Sequence, residues 1–337
     1  MRLFAVLTIF TALLAQQRAS AGIIAGVEIQ PKLVVAGSDV DDPRYLTPPG
    51  TGYDGIGGLF LETTAGVNIC SGSLLEDGIH VLTAAHCVTD FLGNLALVGG
   101  NVTFFPSPDG VEVLDVISAV IHPGYNGLLE TGNDLAILTL AAPASAGVQR
   151  YSIYRGSSEV GSTFDTSGFG ALGTGDIGEI YPAGLRRHGL NDFDATMTGT
   201  FDVISGWTAG DNVLFSDFDD GTAAHDGFGL FFGLFGLGQG QDEVNPASGD
   251  SGGPAFINGQ IAGITSFGFR VFFADGTTSD VTDFTDSSFG EFNAYTRVSQ
   301  YQDWIDSQIQ VVPEPAPFAL LAMGFVMAGW AKRRRER

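Results

Sequence analysis

A serine set among glycines constrains this chain more than any other feature of its sequence. Residues 249–254 read Gly-Asp-Ser-Gly-Gly-Pro. Glycine permits backbone turns that other residues resist, so this composition predicts a tight turn around Ser251. In such a turn, amide N–H groups can point at one place and stabilise a negative charge that develops there. The segment therefore indicates a nucleophilic hydroxyl at Ser251, with the N–H groups of Gly249 and Ser251 as the oxyanion donors.

Two segments upstream contain the partners that such a serine needs. Residues 82–87 read Leu-Thr-Ala-Ala-His-Cys, and residues 133–138 read Asn-Asp-Leu-Ala-Ile-Leu. A serine hydroxyl is barely ionised at neutral pH, and histidine is the side chain whose ordinary pKa best suits a general base. His86 is the candidate base. Asp134 is the candidate carboxylate that fixes the imidazole tautomer and stabilises its charged form.

Each of the three segments also fits a purely structural role. The first fits a glycine-rich turn, the second a buried histidine beside a disulfide, and the third a capped core strand. Their joint presence, in this order and with domain-scale spacing, favours catalysis, because none of these structural roles requires the other two.

Together with their flanks, the three segments resemble the chymotrypsin/trypsin family of serine endopeptidases, which has the same chain order of His, Asp and Ser. The likeness extends from about residue 57 to about residue 309. It implies an all-β fold of two antiparallel six-stranded β-barrels, at about residues 50–145 and 146–298, with the active site in the cleft between them. Glycine at 48 and phenylalanine at 26 of 337 residues, with few long helical periodicities, favours the same all-β class.

Local patterns predict several individual elements. Apolar or alternating runs predict strands at residues 113–122, 134–140, 260–269 and 293–298. A C-terminal amphipathic helix is predicted over residues 299–310, with Ser299 as its N-cap.

The chain has two cysteines, Cys70 and Cys87. The resemblance implies that they form a disulfide, because the family has one cysteine in a Cys-x-Gly-Ser-Leu segment and the other directly after the catalytic histidine. Such a bridge would pin the loop that leads to His86 and stabilise the fold by about 3 kcal/mol. Two free thiols, or half of a metal site, are the alternatives.

The resemblance also locates a substrate pocket. The position six residues before the nucleophile forms its base, and here that position is Asn245. Its walls would be Ser266, Phe267 and Gly268, together with Asn293, which stands where the family usually has a glycine. A pocket without a carboxylate cannot compensate a substrate charge, so we expect a preference for uncharged residues of small to medium size.

Activation in the family depends on the Asp before the nucleophile, which is Asp250 in this chain. The resemblance implies that its carboxylate pairs with a new Ile- or Val-headed terminus that cleavage releases. Segments beginning at Ile23 and at Val34 resemble that terminus imperfectly, and neither directly follows an Arg or Lys. A buried Asp250 would need this terminus or another donor.

Two segments near the pocket depart from the compact family pattern. Residues 219–243 form an apolar, glycine-rich insertion before the pocket, and residues 270–291 form an acidic loop after it. Four aspartates of that loop offer ligands for Ca²⁺, but they lack the regular spacing of an EF-hand, and a solvated loop is the preferred interpretation. No metal and no cofactor are predicted.

The two ends of the chain are interpreted as targeting segments. A short basic start, an apolar run and an Ala-Ser-Ala sequence predict a signal peptide over residues 1–21. An N-terminal segment or pro-segment at residues 22–49 and a protease domain at residues 50–310 follow.

The last segment, residues 311–337, contains Pro313-Glu314-Pro315, an apolar stretch and a basic end. This tail resembles the PEP-CTERM sorting signal of Gram-negative bacteria, which an exosortase cuts during export. A plain C-terminal membrane anchor is the alternative. Either interpretation predicts a transient or lasting membrane association and a cell-envelope or extracellular location, where a disulfide can persist.

The net charge of −23 excludes some partners. Nucleic acid and anionic membrane surfaces would be repelled by a domain this acidic. The sequence as a whole predicts a secreted serine endopeptidase that acts on proteins or peptides through an acyl-enzyme. The alternative is a surface or matrix module that keeps the fold for binding without catalysis.

Overall fold

A computed structural model describes residues 24–30, 32–108 and 110–309, with side chains from residue 34 onward. The predicted signal peptide and sorting tail lie outside these residues. The described strands are β1 Ile24–Gln30, β2 Lys32–Val35, β3 Ile56–Thr63, β4 Gly66–Leu74, β5 His80–Thr83, β6 Leu97–Ser107, β7 Gly110–Ile121, β8 Ala136–Leu140, β9 Thr163–Gly168, β10 Leu172–Thr174, β11 Gly178–Tyr181, β12 Arg187–Asp192, β13 Ala195–Thr196, β14 Val213–Asp217, β15 Val244–Ala247, β16 Pro254–Ile257, β17 Gln260–Phe273 and β18 Phe292–Arg297.

Helices are few and short. The α-helices are α1 Gly227–Phe232 and α2 Gln302–Ile309, and the 3-10 turns are Pro43–Tyr45, Ala85–Cys87, Leu129–Thr131, Phe201–Val203, Gly210–Asn212, Gly240–Asp242 and Val298–Gln300. The chain divides at Gln302 into two compact units, and the features described below lie in the first of them. No helix of the described residues is long and apolar enough to cross a membrane.

Six strands close into the first barrel, as predicted. Their order around the ring is β3-β4-β5-β8-β7-β6, and β6 pairs with β3 to complete it. In β3 and β6 the side chains alternate between the interior and the solvent, so Leu59, Leu61, Val102 and Phe104 are buried at every second position. This alternation is the sequence property that the barrel requires.

The remaining strands form two sheets. Eight strands join in the order β12-β9-β16-β17-β18-β14-β13, with β1 added along β17, and a four-stranded sheet has the order β11-β10-β2-β15. The strands of residues 146–298 are thus divided between these two sheets, and the second barrel remains a prediction.

An aromatic core fills this second half. Phe201, Phe215 and Trp207 pack against phenylalanines of α1, β17 and β18. The ring of Phe201 makes edge-to-face contacts with Phe215 and Phe269 at centroid distances of 4.8 and 4.9 Å. Much of the phenylalanine content of the chain is thus concentrated here, where large rings occupy the volume between the sheet and the insertion.

Several elements of the structure differ from the predicted ones. Strand β17 runs four residues beyond the predicted end, to Phe273, and the insertion at residues 219–243 contains helix α1. The prediction that Ser299 caps the last helix is wrong. Ser299 lies in the 3-10 turn before it, and its hydroxyl donates to the carboxylate of Glu159 instead.

Candidate active site

Cys87, the residue directly after His86, is tied to β4 by two links. Both residues lie in the 3-10 turn Ala85–Cys87 that directly follows β5. The predicted disulfide is present, and it joins Cys87 of this turn to Cys70 of β4. The side chain of Asn68, also on β4, donates to the carbonyl of Cys87 at 2.9 Å. These two links fix the backbone on which His86 is mounted.

Asp134 is placed by an unusual backbone conformation just before β8. Asn133 has a φ of 64°, in the left-handed region that asparagine tolerates better than most residues. The backbone N–H of Asn133 donates to the hydroxyl of Tyr301 at 3.2 Å, and the hydroxyl of Thr296 donates to the carbonyl of Asp134 at 2.8 Å. The Asp134 side chain is fully buried as a result.

The carboxylate of Asp134 binds His86 twice. Its Oδ1 accepts the backbone N–H of His86 at 2.9 Å, and its Oδ2 lies 2.7 Å from Nδ1 of the same residue. The hydroxyl of Ser266 donates to Oδ2 at 2.5 Å. This arrangement fixes the proton of the imidazole on Nδ1, which leaves Nε2 as the basic nitrogen.

The two groups shift each other's pKa. Burial by itself lowers the pKa of His86, but the negative charge of Asp134 outweighs it, and the pKa of His86 lies above its ordinary value. Burial by itself raises the pKa of Asp134, but the charge and hydrogen bond of His86 and the hydrogen bond of Ser266 outweigh it. Asp134 therefore stays ionised, and His86 is a stronger base than a free imidazole.

The Ser251 segment forms a tight turn, as its glycines predicted. Gly249 and Gly252 have φ angles of 106° and 82°. A Cβ atom on Gly252 would lie 2.0 Å from Oγ1 of Thr83, so this position accommodates only glycine. The N–H of Gly252 donates to the carbonyl of Thr265 at 2.8 Å. The turn is therefore closely packed against both β5 and β17.

Ser71 ties this turn to the strand that carries the disulfide. Its N–H donates to the carbonyl of Ser251 at 2.8 Å, and its hydroxyl donates to the carbonyl of Gly249 at 3.0 Å. The hydroxyl of Thr83 in turn donates to the carbonyl of Ser71 at 2.8 Å. The nucleophile turn and the His86 turn are thus both anchored to β4.

Ser251 itself is nearly buried, with 4% of its surface exposed. Nε2 of His86 is buried and has no hydrogen-bond partner among the described residues. Proton transfer would require the Ser251 hydroxyl to come within hydrogen-bond distance of this nitrogen, and such contacts often tighten only when substrate is bound.

Asp250, the predicted activation partner, is buried and held by backbone N–H groups. Gly170 donates to its Oδ1 at 2.8 Å, and Ala247 donates to its Oδ2 at 2.9 Å. Burial raises the pKa of Asp250 well above its ordinary value, although the hydrogen bond from Gly170 opposes this shift. Backbone donors thus satisfy Asp250 in the described state.

The residues predicted to form the pocket lie together, and all are buried. Asn245 and Asn293 have no exposed surface, and Ser266 and Phe267 have 2% or less. The amide of Asn293 donates to the side-chain oxygen of Asn245, so two uncharged amides lie together where the base of the pocket is predicted.

Strand β1 occupies the edge of β17 that continues from the pocket wall. Gln30 is paired with Gly268, and Ile29 is paired with Phe269, in antiparallel register. Sequence reasoning assigned residues 22–49 to an N-terminal segment or pro-segment but did not predict this pairing, because pairing between strands so distant in sequence leaves no local signal.

Two supporting residues were also missed from the sequence. Ser71 and Thr83 hold the nucleophile turn, yet each looks like an ordinary polar residue of a strand. The prediction named Ser266 as a pocket wall, and the structure shows in addition that its hydroxyl contacts Asp134. The proximity of Ser71 to Cys70 in the Cys-x-Gly-Ser-Leu segment was the one available signal for its role.

Comparison with known proteins finds trypsins among the similar sequences. A family model for trypsin matches residues 56–188. A trypsin from Phaedon cochleariae is 28% identical over 248 residues, which cover 72% of this chain and 80% of that protein. Alkaline trypsin C from Manduca sexta is also 28% identical, over 89% of this chain and 98% of its own length. These similarities support a trypsin-like serine protease domain in this chain.

Solved structures show the fold of this trypsin-like domain. Neuropsin, a serine protease expressed in the limbic system of mouse brain, superimposes with a TM-score of 0.55 at 18% identity, over 79% of this chain and 98% of its own. HL collagenase gives a TM-score of 0.53 at 20% identity, over 77% and 96% of the two chains. The domain thus has the trypsin-like, mostly β fold with a closed six-stranded barrel and a short C-terminal helix.

Proposed function

We propose that the trypsin-like domain is a serine endopeptidase that hydrolyses peptide bonds in protein substrates. The observation that carries this proposal is the double attachment of His86 to the fully buried Asp134, at 2.9 Å through the backbone N–H and at 2.7 Å through Nδ1. A histidine without a proton-transfer role has no need for a buried carboxylate that fixes its tautomer.

Each residue has a definite part in the proposed reaction. Nε2 of His86 accepts the proton of Ser251 as the hydroxyl oxygen attacks the substrate carbonyl, and it returns that proton to the leaving amine. Asp134 stabilises the imidazolium that forms in between. The N–H groups of Gly249 and Ser251 would bind the oxyanion, and water then hydrolyses the acyl-enzyme by the same route in reverse.

The uncharged amide pair of Asn245 and Asn293 supports a preference for uncharged side chains of small to medium size. A substrate Arg or Lys would be desolvated at this site without a compensating charge, which costs several kcal/mol. Profiling the cleavage of a peptide library tests this preference. Dominant cleavage after Arg or Lys would contradict it.

For activation, Val34 is the better candidate terminus. Ala247, whose N–H binds Asp250, is paired with Lys32, two residues before Val34. A new ammonium group at Val34 would therefore arise close to the Asp250 carboxylate, whereas β1 pairs Ile24 with Phe273 at the far end of β17. N-terminal sequencing of the active protein distinguishes the two, because only one of them would appear as the first residue.

The proposal extends to a secreted protein of a Gram-negative bacterium, sorted by an exosortase-type enzyme to the cell envelope or matrix. The disulfide between Cys70 and Cys87 supports an oxidising compartment. Mass spectrometry of the surface form should find no peptide from residues 316–337. Recovery of full-length chains ending at Arg337 would contradict cleavage by an exosortase and favour the alternative, a plain C-terminal membrane anchor.

Labelling with a fluorophosphonate probe tests the catalytic proposal directly. The correctly processed protein should be modified at Ser251, and both Ser251→Ala and His86→Ala should abolish the label. Ser248→Ala removes a neighbouring hydroxyl and should leave labelling intact. Absence of any label on folded, processed protein would favour the alternative of a binding module without catalysis.

A further inference from the structure

Three aspartates converge in the insertion that precedes the pocket, outside the site described above. Asp217 ends β14, Asp219 follows two residues later, and Asp226 is the N-cap of helix α1. Each has 3% or less of its surface exposed. One carboxylate oxygen from each lies within 4.8 Å of the others. Three carboxylates thus share one buried space.

Hydrogen bonds account for only part of their capacity. Oδ2 of Asp217 accepts the N–H of Phe228 at 2.8 Å, and Oδ1 of Asp226 accepts the N–H of Gly229 at 2.6 Å. Oδ1 of Asp219 is buried and has no hydrogen-bond partner among the described residues. A buried carboxylate oxygen without a donor is costly, so Asp219 points to a ligand that supplies positive charge.

The described residues around Asp219 also supply no positive charge to compensate it. In the part of the chain that the structure describes, no Arg or His forms an ion pair with any of the three aspartates. The charges that act most strongly on Asp219 are those of other carboxylates, namely Asp217, Glu243, Asp226 and Asp194.

We propose that Asp217, Asp219 and Asp226 bind a calcium ion. The three side chains offer only oxygen donors, which suit hard cations such as Ca²⁺ rather than zinc or copper. Ca²⁺ accepts six to eight oxygens in flexible geometry, so carboxylates supplied by a strand end, a loop and a helix cap can serve together. A bound divalent cation would neutralise most of the charge that the fold has buried here.

Such an ion would hold the insertion against the sheet that carries the pocket. Phe228 and Phe231 of α1 belong to the same buried cluster as Phe267 and Phe292 of the strands β17 and β18. Because Asp217 and Asp226 flank the loop that joins β14 to α1, an ion between them would fix the helix in position. We therefore expect calcium to stabilise this half of the domain.

A second group of acidic residues serves as an internal comparison. Asp280, Asp286 and Glu291 also approach one another within 4.8 Å. Asp280, however, forms an ion pair with Arg270 at 3.3 Å, so a cation of the protein already neutralises part of that group. Nothing comparable serves Asp219.

The test measures calcium binding and thermal unfolding on full-length, EDTA-treated protein carrying Ser251→Ala, which prevents self-digestion. In this parent, we expect one Ca²⁺ ion per chain by titration calorimetry and a melting temperature that rises with CaCl₂ concentration. Asp219→Asn should weaken Ca²⁺ binding by at least about tenfold, because affinity depends on the number of charged ligands. It should also lose most of the thermal shift.

One more variant and two controls complete the test. Asp226→Asn should fold normally, since asparagine is an equally good N-cap, and should lose calcium binding like Asp219→Asn. The control Asp202→Asn removes an exposed aspartate and should respond as the parent does, as should Asp286→Asn. The proposal is overturned if calcium has no effect on the parent, or if Asp219→Asn and Asp226→Asn respond to calcium as the parent does.

Discussion

The hydroxyl of Ser266 donates to Oδ2 of Asp134 at 2.5 Å, although the two residues are 132 positions apart in sequence. Ser266 belongs to β17 of the large sheet, whereas Asp134 directly precedes β8 of the closed barrel. This contact brings a second donor to the same carboxylate oxygen that binds Nδ1 of His86. The orientation of the imidazole therefore depends on residues from both halves of the domain.

We expect Ser266→Ala to destabilise the domain and to impair catalysis partially. Loss of a hydrogen bond to a buried charged group costs about 1.5 to 3 kcal/mol, and that loss should appear in the free energy of unfolding measured with urea. Because His86 still binds Asp134, kcat/KM should fall by only about tenfold, much less than in Asp134→Asn.

Ser73→Ala is the matched control for this change. Ser73 is also buried, but its hydroxyl has no hydrogen-bond partner among the described residues. Removal of that hydroxyl should change stability and activity little. Equal effects of the two substitutions would show that the contact between Ser266 and Asp134 has no special importance.

Ser251 and His86 should act as one unit. Attack and proton transfer occur in the same step, so Ser251→Ala and His86→Ala should each remove nearly all turnover of a peptide substrate. The double variant should be little worse than either single one, because the second loss removes a group that has already become useless. Losses in kcat that add up as independent free energies would contradict the shared mechanism.

Local sequence patterns predicted that His86 and Asp134 belong to one site, but they did not predict which residues hold the two in place. His86, Asp134 and Cys87 were singled out because their short local patterns, taken together, resemble those of a known family. The buried hydroxyls of Ser71 and Thr83 were not, since their importance depends on which turn packs against their strand. Likewise, the register of Gln30 with Gly268 is set by tertiary pairing and leaves no mark in the local sequence.

The fold shows the same division. Apolar or alternating runs predicted two of the barrel strands, β7 and β8, and β8 begins only two residues after the expected start. Ser299 was assigned to a helix cap because serine is a common N-cap. In the structure, the hydroxyl of Ser299 donates instead to the carboxylate of Glu159, which is 140 positions away in sequence. A local propensity could not anticipate this long-range partner.

Removal of the disulfide should reduce both stability and activity. Cys70 and Cys87 close a loop with a sequence separation of 17, and the double change to alanine should lower the free energy of unfolding by about 3 kcal/mol. Because Cys87 adjoins His86, kcat should fall as well. The control is Asn68→Ala, which keeps the bridge while removing the hydrogen bond to the carbonyl of Cys87, and it should have a smaller effect on stability.

Activity should fall on the acid side because His86 must be neutral to accept a proton. Burial lowers its pKa, but the Asp134 carboxylate raises it more, so the acid limb of kcat/KM should lie above the ordinary histidine pKa of about 6.5. Below that limb, activity should drop about tenfold per pH unit. In Asp134→Asn the opposing charge is gone and burial remains, so the residual activity, lower by about four orders of magnitude, should show its acid limb at lower pH. The measurement is kcat/KM from about pH 5 to about pH 9 for both proteins. A flat profile in the parent would contradict the role of His86 as the base. An acid limb at the same pH in Asp134→Asn would contradict it as well.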